Sequence, residues 1–122
     1  MALHWLAALL LLDDQIESGR AAALRGLALS RAFGNDGLLF SLCQLALVLA
    51  AQGETDTAAR LAGFANAYGD VRQLARGGLG IAIRTRLIER LHSAMSPDEC
   101  QTAMAAGAAW GEREAIAAAQ AA

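Results

Sequence analysis

Leu3-His4-Trp5-Leu6-Ala7-Ala8-Leu9-Leu10 and Leu42-Cys43-Gln44-Leu45-Ala46-Leu47-Val48-Leu49 are two versions of one segment set 39 residues apart. Leu3, Leu6, Ala7 and Leu10 return as Leu42, Leu45, Ala46 and Leu49, and the same step carries Gly19 to Ala58, Gly26 to Ala65 and Ala28 to Ala67. Apolar residues at i, i+3, i+4 and i+7 mark a helix, and a repeat of 20 to 50 residues marks stacked units that each need a neighbour to cover their apolar face. The repeat predicts a scaffold of paired helices that binds rather than catalyses.

Composition agrees. Thirty of the 122 residues are Ala and twenty are Leu, while Val and Ile together number seven, so helix is favoured over sheet. The expected fold is all-α, in one compact domain of six to seven helices. A net charge of −2 with the two signs interspersed provides no basic face, so this segment is not expected to hold nucleic acid. Every one of the ten basic residues is Arg, which we read as a GC-rich bacterial codon bias. Cys43 and Cys100 are far apart in sequence and lack the paired spacing of metal or redox sites, so both are expected as reduced, partly buried thiols in the cytoplasm. Ala2 to Leu12 lacks the basic start and small-residue cleavage site of a secretory leader, and Leu38 to Ala51 is interrupted by Ser41 and Gln44 and too short to span a bilayer. No membrane association is expected.

Turn residues divide the apolar stretches. The spacing predicts helices over Leu3 to Leu12, stopped by Asp13-Asp14, and over Glu17 to Phe33, closed by Gly34. Asn35 or Asp36 would cap a third, very apolar helix ending at Ala51 before Gly53. Thr55 would cap a fourth whose stripe is Leu61, Phe64, Ala65 and Tyr68, with Gly69 closing it. A fifth occupies much of Val71 to Met95, broken near Gly77-Gly78. Ser96-Pro97-Asp98-Glu99 combines a serine cap, a proline at the first helical position and a glutamate three residues on, which is the sequence of a capping box. The helix it opens should end near Trp110, and a short one follows from Glu112. Residues 1–69 would thus form two helical hairpins and residues 70–122 a capping segment.

Leu42, Leu45, Ala46, Leu49, Gly53, Ala58 and Ala65 fall at the large and small positions of a tetratricopeptide repeat, which the chain resembles. The small residues let paired helices approach while leucines fill the space beside them. The first unit departs by placing Asp14 where Gly53 turns the second. The stretch from Ala46 through Asn66, with Arg84 to Leu91 and Ser96 to Trp110, further resembles the carboxy-terminal helical region of large bacterial transcriptional regulators of the LuxR and maltose-activator types. In that family an ATP-binding module and a helix-turn-helix or winged-helix domain accompany such repeats. The resemblance implies that this chain is a fragment, its nucleotide- and DNA-binding parts lying elsewhere.

Catalysis has little footing in the residues. His4 and His92 have no Asp or Cys partner at relay or metal spacing, Glu89 and Arg86 would form a surface pair, and Gly77-Gly78-Leu79-Gly80 lacks the downstream lysine of a phosphate loop. No enzyme activity, cofactor or metal is expected. The groove of a two-helix repeat is lined by its first helices, giving Met1, His4, Ala8 and Leu11 in one unit and Phe40, Cys43, Leu47 and Ala50 in the other as candidate interaction residues. They are apolar, unlike the Lys- and Asn-lined grooves that clamp acidic peptide tails. Such a groove either receives an apolar helix or peptide or is covered by a neighbouring helix of the same protein, the latter favoured because an open leucine stripe invites aggregation. The expected function is a regulatory interaction module, with self-association or a protein partner, and homodimerisation through the amino-terminal hairpin. A free-standing repeat adaptor is the alternative.

Overall fold

A computed structural model of the chain describes residues 2–33, 37–68 and 78–122. Among these the regular elements are seven helices and no strand: α1 (Ala2–Leu12), α2 (Ile16–Phe33), α3 (Gly37–Ala51), α4 (Thr55–Tyr68), α5 (Leu79–Ala94), α6 (Pro97–Ala108) and α7 (Glu112–Gln120). The expected closures at Gly34 and Gly69, the caps at Asn35 or Asp36 and the stretch from Val71 to Gly77 lie outside the described residues.

The repeat is written most plainly in its turns. After α1, the Gln15 amide donates to the Leu10 carbonyl at 2.9 Å and the Asp14 amide to Leu11 at 3.1 Å. After α3, the Glu54 amide donates to Leu49 at 2.9 Å and the Gly53 amide to Ala50 at 3.2 Å. These are two copies of the Schellman closure in 39-residue register, each needing one left-handed residue. Gly53 supplies it at φ 88° without steric cost, and Asp14 supplies it at φ 58°, a conformation a short polar side chain tolerates. Asp14 is held further by Arg86 and Arg90, both 3.4 Å from its Oδ1. Arg86 therefore serves the turn rather than the expected pair with Glu89.

The tight turns fold each unit back on itself. Leu11 lies against Gly19 and His4 against Gly26, so α1 and α2 run antiparallel. α3 then inserts between the other elements and contacts α1, α2, α4, α5 and α7. Of its fifteen residues only Phe40 and Ala51 escape burial, which accounts for a helix with no charged side chain. Ala46, Ala58 and Ala65, the small positions of the second unit, are all in the core. In the first unit Ala7 is buried, but Leu6, the counterpart of Leu45, is exposed.

Two local expectations need correction. Thr55 is already helical, and the Ala58 amide bonds the Glu54 carbonyl at 2.9 Å, so Glu54 and not Thr55 stands at the cap. Tyr68 is not part of the buried stripe: it is exposed, stacks on Phe64 at 5.2 Å and turns its hydroxyl to Glu112 Oε1 at 3.5 Å.

The carboxy-terminal helices close the other side of the stack. The capping box opens α6 as predicted, with the Glu99 amide donating to Ser96 Oγ at 3.1 Å and the Ser96 amide to Glu99 Oε1 at 3.0 Å. Hydrogen bonds from the Ser96 amide and then from the Ser96 side chain hold the exposed Glu99 carboxyl below its ordinary pKa. α6 ends at Ala108, two residues short of Trp110. It packs antiparallel on α4 in the most intimate helix pair of the molecule. A Cβ on Gly63 would overlap the Met104 carbonyl oxygen and stand 2.6 Å from Met104 Cα, and one on Gly107 would do the same to Arg60, again 2.6 Å from its Cα. Backbone meets backbone there, which only glycine permits. α7 lies on α3 and α4.

Candidate functional site

The groove residues read from the sequence do come together, but not on a surface. His4, Ala8 and Leu11 of α1 and Cys43, Leu47 and Ala50 of α3 are all buried, and Phe40 is half-buried. α5 packs across both first helices, while Leu11 and the His4 ring turn onto α2 against Gly19 and Gly26. The Arg84 guanidinium of α5 donates to Asn66 Oδ1 on α4, while Arg86 and Arg90 hold the end of α1. These seven residues therefore do not line an open groove. Periodicity could place them on the concave face, but not show where the helix after the second hairpin would settle. Met1 lies outside the described residues.

Within that interior sits a polar cluster joining three helices. His4 Nε2 is 2.9 Å from Ser41 Oγ and 3.3 Å from Ser30 Oγ, and its ring stacks on Phe40 at a centroid distance of 6.1 Å. Gln44 Nε2 donates to the His4 carbonyl at 2.9 Å, leaving Gln44 Oε1 as a buried oxygen with no partner among the described residues. Glycine makes the space: a Cβ on Gly37 would lie 2.6 Å from the His4 ring and one on Gly26 3.3 Å from it. Burial holds the imidazole below its ordinary pKa, so His4 is neutral and hydrogen-bonded rather than charged.

A histidine beside two serines has the components of a nucleophile and its base, but Ser30 and Ser41 are 2% and 0% exposed. A substrate has no route to either hydroxyl. The cluster instead fixes the relative positions of α1, α2 and α3, because every member hydrogen-bonds to His4. Cys43 lies fully buried in the same helix with its thiol pushed up to about 12, and Cys100 is likewise buried beside Met104, Sγ to Sδ 3.9 Å. Neither is poised as a thiolate. Among the described residues no three His, Cys, Asp or Glu side chains gather as metal ligands, and no helix is long and apolar enough to cross a membrane.

What the surface does present is the outward side of α1. Trp5, Leu6 and Leu9 are 56%, 50% and 56% exposed and form one stripe at i, i+1 and i+4. This stripe was absent from the sequence-derived candidates, which lie on the opposite side of the same helix. The available signal was the uniform apolarity of Ala2–Leu12, which leaves large apolar side chains on every side of the helix. Shallow hollows lie elsewhere on the surface, among them one of about 520 Å³ near Asp56, Arg60 and Asp98 and one of about 390 Å³ between Arg31 and Arg113. Both are open and mixed in charge.

No family model, curated protein or solved structure matches this chain.

Proposed function

We propose that this chain is a non-enzymatic helical-repeat interaction module, the carboxy-terminal part of a bacterial signal-responsive transcriptional regulator working in the cytoplasm. The observation that supports an interaction role is the exposed Trp5, Leu6 and Leu9 stripe on a protein whose concave face is already filled. Contiguous exposed large apolar side chains on a well-packed protein mark a contact surface. The buried serines and the high-pKa thiols offer no accessible nucleophile, which favours binding over chemistry. Regulator origin rests on the resemblance of Ala46 to Asn66, Arg84 to Leu91 and Ser96 to Trp110 to that family. The test is the coding sequence around this segment. A nucleotide-binding or DNA-binding domain in the same reading frame is the expected result, and a complete short frame with neither removes the regulator reading.

A further inference from the structure

The 39-residue register identifies what the open side of α1 is. Trp5, Leu6 and Leu9 correspond to Gln44, Leu45 and Val48 of α3, and all three of those are completely buried. Their side of α3 is where the second unit meets the first: Gln44 donates to the His4 carbonyl, and Ser41, one turn earlier on the same side, reaches the His4 ring. The stripe on α1 is thus the repeat's own stacking face, presented once more on the outer side of the first unit. It is also more apolar than its buried counterpart, with Trp in place of Gln44 and Leu in place of Val48.

We infer that this face is occupied by the same face of a second copy of the chain, α1 against α1 in a two-fold pair. Three observations favour that occupant. α1 carries no Asp, Glu, Lys or Arg from Ala2 to Leu12, and its one histidine, His4, is buried away from the stripe, so self-pairing opposes no like charges. An isologous contact asks only that one patch complement itself, which a plain apolar stripe does. The far side of the second unit is already taken, α6 lying on α4 and α7 on α3 and α4, so head-to-tail stacking has no free acceptor and assembly stops at two. The proposal rests on reading the chain as an interaction module but not on regulator origin, and the mass of the particle decides it independently of the flanking coding sequence.

The test is sedimentation equilibrium of the 122-residue chain across the micromolar range, beside Leu9→Glu and Ile81→Glu. Ile81 is a control of equal character, exposed and apolar but on α5. The expected result is a dimer mass for the parent and for Ile81→Glu, and a monomer for Leu9→Glu with unchanged helical circular dichroism. A Trp110→Phe variant leaves Trp5 as the single indole, and its emission should shift to the blue as concentration rises through the dimerisation range. That readout leaves the stripe untouched and decides the matter even where Leu9→Glu does not fold. A monomer throughout, a dimer indifferent to Leu9→Glu, Trp5 emission independent of concentration, or a stripe that takes up only a foreign helical hairpin would each overturn the inference.

Discussion

Replacing Gly107 with alanine tests the packing of the carboxy-terminal half most directly. In an unobstructed helix the change stabilises by about 1 kcal/mol, because alanine loses less backbone entropy than glycine. Here the new methyl would stand 2.6 Å from Arg60 Cα and inside its carbonyl oxygen, where ordinary carbon contact is about 3.5 to 4 Å. The obstacle is backbone, which cannot rotate aside as a side chain can, so α4 and α6 must move apart by about 1 Å along their whole contact. Overpacking costs about 1–3 kcal/mol where side chains can adjust and more where they cannot; taking about 3 against the gain of about 1 leaves a net loss of about 2 kcal/mol. For a domain of this size that lowers the melting temperature by about 8 °C. Gly63→Ala should behave alike, and the double variant should lose less than the sum because one separation relieves both overlaps. Gly26→Ala, whose methyl would meet the His4 ring at 3.3 Å and Ser41 Oγ at 3.5 Å, side chains rather than backbone, should cost far less. Thermal and urea unfolding followed at 222 nm give the comparison. A Gly107→Ala protein more stable than its parent would refute the backbone-on-backbone crossing.

Acid should loosen the amino-terminal hairpin through His4. Its folded pKa lies below the ordinary 6.5, so unfolding takes up a proton: stability is full above pH 6.5 and is lost as pH falls from there towards the folded value, with a slope of at most about 1.4 kcal/mol per pH unit. Urea midpoints at a series of pH values should show that slope for the parent and lose it in His4→Gln. Ser96→Ala removes the side-chain acceptor of the α6 cap and should cost about 1 kcal/mol in the same unfolding assay. Asp14→Gly relieves a left-handed aspartate but forfeits two exposed ion pairs, so it should stabilise more in high salt, where those pairs are screened in the parent too; salt-dependent melts compare them. Cys43 and Cys100 should resist a thiol reagent in the folded protein and react together on denaturation, as timed by absorbance or mass.

The fold was legible where one residue type answers one local need. Gly53 marks a left-handed closure, Ser96 to Glu99 carries both halves of a cap, and the alternation of leucine with small residues from Leu42 to Leu49 demands a helix surrounded by others. Asp14 was readable only through the repeat, since nothing local distinguishes it from Asp13. The misplacements have a common cause. Tyr68 shares the helical phase of Leu61 and Phe64 but sits at the end of α4, where no neighbour covers it. His4, Ala8 and Cys43 lie on the face that periodicity assigns to a groove, yet their exposure depends on elements far along the chain, His4 being covered by Gly26 and Ser30 of α2 and Ser41 of α3. Gly63 and Gly107 look like interruptions in helices of good formers, and their purpose becomes visible only when both backbones are in place.

That α5 fills the concave face from within the same polypeptide sets a threshold for anything else that would sit there. A covalently attached occupant competes at an effective concentration of about millimolar, so a free peptide of equal intrinsic affinity, supplied at micromolar levels, would hold the site about one time in a thousand. Displacing α5 would moreover expose Ile83, Leu87 and Leu91, all buried in the core, so an outside ligand would have to offset the loss of that packing and not merely break surface contacts.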